Sequence, residues 1–120
     1  MSRIESYREL IVWQKAMILV KEVYLATRTY PKEELFGLTQ QLRRAIVSIP
    51  SNIAEGNGRG TTPDYVRFLL IARGSLFESQ TQLEISRDLG YLPEPITLPL
   101  FALCNEIERM LNSIISKLNS

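Results

Sequence analysis

Histidine is absent from this 120-residue sequence, and cysteine occurs once, as Cys104. Without histidine, the commonest metal ligand and the commonest general base near neutral pH are both missing. No Ser-His-Asp or Cys-His arrangement can be assembled, and one cysteine makes no zinc site. A lone cysteine closes no internal disulfide either, which fits a reducing compartment. Charge of one sign is also lacking. The 14 basic and 13 acidic residues leave a net charge of +1, so no global attraction draws the chain to nucleic acid or to an anionic membrane. No apolar run approaches the roughly 18 residues that span a bilayer. The opening MSRIESYREL carries charges where a signal peptide has an apolar core. A cytoplasmic protein with no membrane partner is the expectation.

What remains is ordinary soluble composition, 45% hydrophobic and 22% charged. The length suits a single domain over 1–120, large enough for a proper core. Charge is unevenly spread. Residues 1–73 hold 11 basic and 7 acidic side chains, a net of +4, and residues 74–120 hold 3 and 6, a net of −3. Such a split can leave a basic face on a nearly neutral chain, although a mixed surface is the simpler outcome.

Helical periodicity recurs in four segments, and strand alternation nowhere. The first helix is expected from about Leu10 to Thr29, with Leu10, Trp13, Met17, Val20, Tyr24 and Thr27 facing inward. A short arm precedes it, docked through Ile4 and Tyr7. Tyr30-Pro31 ends it, because proline lacks an N–H and disfavours a helical residue before it. The second helix starts near Glu33 or Leu38 and runs to Glu55 on Leu42, Ala45, Ile46, Ile49 and Ile53. Pro50 lies inside it. Proline there costs roughly 3 kcal/mol or bends the helix, and the apolar spacing that continues through it predicts a bend. Gly56 to Gly60 forms the next connection. Thr61 or Thr62 then caps a third helix, with Pro63 at its first position and Asp64 in its first turn. That helix reaches about Leu89 on Tyr65, Leu69, Ala72, Leu76, Leu83 and Leu89, and Gly90 stops it. The fourth runs from about Thr97 to Leu118 on Leu100, Cys104, Ile107, Leu111, Ile114 and Leu118. Helices of this length with short connections pack antiparallel. The fold class is therefore all-α, an antiparallel up-down-up-down four-helix bundle with the second helix bent at Pro50.

Chemistry-bearing constellations are few. The alternating Gly56, Gly58 and Gly60 follow a helix and lack the lysine of a phosphate loop, so they read as a helix connection. Glu55 and Glu78 lie amid apolar sequence, where a carboxylate can have a shifted pKa, but arginines close by in sequence make ion pairing the simpler reading. Cys104, Trp13 and Tyr24 read as core. Gly74 interrupts the third helix at a cost of about 1 kcal/mol, which is tolerated where a backbone or bulky side chain packs close, within the bundle or between subunits. No cofactor is expected.

Two surface readings remain. The second helix has an ordered polar ridge of Arg44, Ser48, Asn52 and Glu55 leading to Arg59. With Glu78, this ridge is the candidate subunit interface. Arg43, Arg44, Arg59, Arg67 and Arg73 face only Glu55 and Asp64 over 31 residues. On antiparallel helices they could converge on one basic strip, a candidate nucleic-acid surface of salt-dependent, sequence-tolerant kind. No aromatic platform interleaves with them in sequence, which argues against single-strand base readout. Ion pairing within an oligomer competes with this reading and is preferred.

The segments LIVWQKA (Leu10 to Ala16), QLRRAIVSIPSNIAEGNGR (Gln41 to Arg59), ARGSLFESQTQL (Ala72 to Leu83) and DLGYL (Asp88 to Leu92) are distributed along nearly the whole chain. Through them the chain resembles the bacterial four-helix bundle proteins first noted as open reading frames within 23S ribosomal RNA intervening sequences. The resemblance implies an antiparallel four-helix bundle that assembles as a ring, typically a pentamer. It extends to a branch of accessory proteins of diversity-generating retroelements, basic barrels that partner a reverse transcriptase and nucleic acid. It carries no catalytic residues. The resulting expectation is a non-enzymatic, self-assembling interaction protein, with RNA, DNA, a reverse transcriptase or another protein as candidate partner. The alternative is a small ligand-binding or regulatory subunit of a larger complex, with a site around Asn52, Glu55 and Arg59.

Overall fold

A computed structural model describes residues 6–120 of the chain. Among the described residues there are four α-helices and no strand: α1 (Ile11–Thr27), α2 (Leu38–Gly58), α3 (Thr62–Asp88) and α4 (Glu94–Leu118). Each helix packs on its sequence neighbours, and α1 also packs on α4, which closes a four-sided bundle. Contacts run in opposite sequence directions across three of the seams. Ser48 meets Ser75, and Gly56 meets Tyr65 and Phe68, between α2 and α3. Arg73 meets Asn112, and Arg87 meets Phe101, between α3 and α4. Lys15 pairs with Glu106, while Glu22 lies with Pro95, between α1 and α4. No helix among the described residues is long and apolar enough to cross a membrane.

The core follows helical spacing. Leu42, Ile46, Ile49 and Ile53 of α2 meet Leu69, Ala72, Leu76 and Leu83 of α3, with Leu100, Cys104, Ile107 and Leu111 of α4. Burial without a charged neighbour pushes the Cys104 thiol up to about 12. Leu10 and Thr27 are buried as expected, but between them the core positions of α1 are Val12, Ala16, Leu19 and Val23, so the middle of the expected stripe is displaced. Met17 and Tyr24 are exposed, and Trp13 is half-buried beneath Tyr7 at 5.1 Å between ring centroids. The helix is apolar nearly all round, so two stripes satisfy the same period. The smaller Val12, Ala16 and Val23 let α1 seat close to its neighbours. Tyr7 docks as expected, while Ile4 lies outside the described residues.

Helix ends show which local signals operate. The Thr61 hydroxyl accepts a hydrogen bond from the Asp64 amide at 3.3 Å, and Pro63 lies in the first turn of α3. Gly90 has φ +82°, and the Tyr91 amide returns to the Ser86 carbonyl at 2.9 Å, so α3 closes as a glycine-terminated helix does. Leu89, expected inward, is exposed just beyond that end. Helix α2 continues through Pro50 to Gly58, three residues past the expected end at Glu55. Gly56 belongs to the helix because it lies buried beneath Phe68, not because it starts a turn. Helix α4 begins earlier than expected, at Glu94, with Pro95 in its first turn.

Candidate functional site

Helices α2 and α3 form the closest-packed seam of the bundle, and a polar network crosses it. Ser48 and Ser75 share a hydrogen bond of 2.9 Å across it. The Asn52 amide donates to both the carbonyl and the hydroxyl of Ser48, each at 2.8 Å. Beside this network Gln41, Arg44, Ser48, Ser75 and Glu78 line a groove of about 320 Å³. Its floor at Ala45 is buried, while Arg44 and Glu78 at its rim are exposed. Glu78 accepts a hydrogen bond from the Gln82 amide nitrogen at 3.2 Å, and the Gln82 Oε1 is buried with no partner among the described residues. The polar ridge expected along α2 is therefore partly assembled: Arg44, Ser48 and Glu78 share the groove, and Asn52 braces it. Glu55 and Arg59 lie further along the helix and pair with each other at 3.7 Å.

The five arginines do not converge. Arg43 turns to the α1–α2 face, where its Nε donates to the Thr27 hydroxyl at 2.9 Å and its guanidinium covers the Tyr24 ring. Arg73 turns to the opposite α3–α4 face and donates to Asn112 Oδ1 at 3.0 Å. Arg59 and Arg67 flank the Phe68 ring at the α2–α3 connection, and both approach Asp64. Arg44 alone lies in the polar groove. Sequence proximity suggested one basic strip; the four-sided packing distributes it over three faces and one end.

The two carboxylates weighed as acid–base groups are both exposed. Glu55 pairs with Arg59, and Glu78 is hydrogen-bonded by Gln82. Asn52 points to Ser48 and does not join Glu55 and Arg59 in a shared site. Among the described residues, no group of three or more His, Cys, Asp or Glu side chains is placed to hold a metal ion.

A second concavity escaped the sequence. Tyr24, Leu35, Phe36, Thr39, Arg43 and Val47 are among the walls of an open cleft of about 580 Å³ beside the start of α2. Phe36 is 84% exposed, and the Thr39 hydroxyl is buried without a hydrogen-bond partner among the described residues. Nearby Glu34 bridges the α1–α2 connection to the far end of α3. Its Oε1 accepts from the Leu38 amide at 3.3 Å and its Oε2 from the Tyr91 hydroxyl at 3.0 Å. That carboxylate holds the Tyr91 hydroxyl above the ordinary phenol value. The signal in the sequence was the apolar Leu35-Phe36 pair in an otherwise polar helix connection.

Residues 8–113 match the profile of the family described as 23S rRNA-intervening sequence protein. Among solved structures, the chain is similar to a protein of unknown function from the S23 ribosomal protein family of Bacteroides thetaiotaomicron. The two share 25% identity at a TM-score of 0.79, over 88% of this chain and 96% of that one. No curated protein matches the chain.

Proposed function

We propose, for a chain that belongs to the 23S rRNA-intervening sequence protein family, that it is a non-enzymatic interaction protein whose copies assemble through the α2–α3 face. The observation that carries this reading is the make-up of α3. Its core side is fully used by Leu69, Ala72, Leu76 and Leu83, yet Leu70, Ile71 and Ile85 remain exposed along the same helix, as does Phe77 on its α4 side beside Phe101. A helix that is apolar on two sides is ordinarily covered on both. The Arg44–Ser48–Ser75–Glu78 groove beside it supplies both signs of charge without an ion pair between them. A neighbouring copy can satisfy both at once, with apolar contact for area and the groove for register. The exposed acids and the missing histidine favour assembly over catalysis as the activity of this surface.

Light scattering on the purified protein tests the reading. A mass several times 13.7 kDa supports it, and the ring implied by the family resemblance would give five copies. An Ile71→Glu change should lower that mass without unfolding the helices. A concentration-independent monomer ends the proposal.

A further inference from the structure

On the α1–α2 side of the bundle, two contiguous hollows of about 580 and 290 Å³ share Leu35, Thr39 and Arg43 as common walls. The larger has an aromatic wall. Phe36 offers an almost bare ring, whereas Tyr24 is already covered by Arg43. The smaller is basic, with Arg28 and Lys32 joining Arg43. Among the described residues no carboxylate lines either hollow. Among the described residues Arg28 and Lys32 form no ion pair.

Thr39 stands where the two meet. It is 3% exposed, and its hydroxyl has no hydrogen-bond partner among the described residues, an arrangement that costs a protein free energy unless something else supplies the bond. Thr39 also lies in the first turn of the 21-residue α2. First-turn amides lack intrahelical acceptors, and the helix dipole puts partial positive charge there. Glu34 occupies one of these amides, that of Leu38. The Thr39 hydroxyl and the cations beyond it stay unclaimed. A helix start, an unpartnered buried hydroxyl and unpaired cations together favour an oxyanion. The bare ring of Phe36 beside them favours a flat aromatic body.

We infer that this cleft binds a phosphorylated aromatic compound, of which a nucleoside monophosphate is the simplest form. The phosphate is held by Thr39, Lys32, Arg28 and the start of α2, and the base lies on Phe36. The same chemistry is offered by a free nucleotide or by one nucleotide of a single strand.

Isothermal titration of the full chain at low salt, with four probes, tests this. The probes are AMP, inorganic phosphate, adenosine and a four-nucleotide oligoadenylate. AMP should bind about tenfold tighter than phosphate or adenosine alone, as each supplies only half of the contacts. Thr39→Val, which keeps shape and removes the donor, should weaken AMP about fivefold, and Thr39→Ser should restore it. Phe36→Ala should weaken AMP about tenfold while leaving phosphate unchanged. Circular dichroism confirms that each variant folds. An oligonucleotide tighter than AMP assigns the site to a strand, and the reverse order assigns it to a free nucleotide. No heat with AMP, or AMP binding indifferent to both Thr39→Val and Phe36→Ala, overturns the inference.

Discussion

Gly56 of α2 lies so close to Phe68 of α3 that a Cβ on the glycine would stand 2.6 Å from the Phe68 Cβ. The Tyr65 carbonyl oxygen, a backbone atom, would be only 3.3 Å away. The clash cannot be relieved by turning a flexible side-chain tip; the two helices must separate. Gly56→Ala should therefore destabilise the fold by about 1–3 kcal/mol, read as a lower urea midpoint. An unchanged midpoint would show that α2 and α3 do not approach this closely.

Gly74 is the opposite case. It is exposed in mid-helix, and a Cβ there would meet nothing within 4 Å among the described residues. No packing among the described residues accounts for the glycine. Gly74→Ala should raise the unfolding free energy by up to about 1 kcal/mol through helix propensity alone. A loss of stability instead would place another copy against that position.

Two adjacent arginines separate stability from assembly. Arg43→Ala removes a hydrogen bond to the buried Thr27 and the cover on Tyr24, and should cost about 1–2 kcal/mol of unfolding free energy. Arg43→Lys should recover little of this, since lysine lacks the planar group that stacks and donates together. Arg44→Ala, at an exposed groove position, should change stability by less than about 0.5 kcal/mol while reducing the mass in solution. Equal effects of the two on stability would contradict this division.

The buried thiol sets an alkaline limit. The folded-state value for Cys104 is about 12, against 9.0 for the free group. The folded chain keeps the proton that the unfolded chain gives up. Stability is thus fully present below pH 9 and falls as pH rises toward 12, by about 1.4 kcal/mol per pH unit for this one proton. Cys104→Ala should flatten that part of a pH–stability profile even as it lowers stability overall.

How much of this was legible from the chain follows from which interactions decide each feature. Thr61, Pro63 and Gly90 act within a few residues of themselves, so the start and stop of α3 could be read directly. The α2 stripe was legible because its polar and apolar faces are well separated, whereas α1 is apolar on both and tertiary contact chose between them. Gly56 looked like a turn until the position of Phe68 was known. Arg43 and Arg73 looked like neighbours, but their faces depend on how four helices are arranged around one axis. Thr39 gave no local signal, because its missing partner is visible only once its surroundings are in place.

The α2–α3 groove is the surface on which self-assembly rests, and thiol labelling probes it most directly. Cys104 is buried with an elevated pKa, so it stays silent in the native chain. A Glu78→Cys variant then reports on the groove, with Ser116→Cys on exposed α4 as the reference. The expected result is slow labelling at position 78 in concentrated protein, accelerating on dilution as copies separate. Labelling at position 78 as fast as at position 116 at every concentration would contradict a groove covered by another copy.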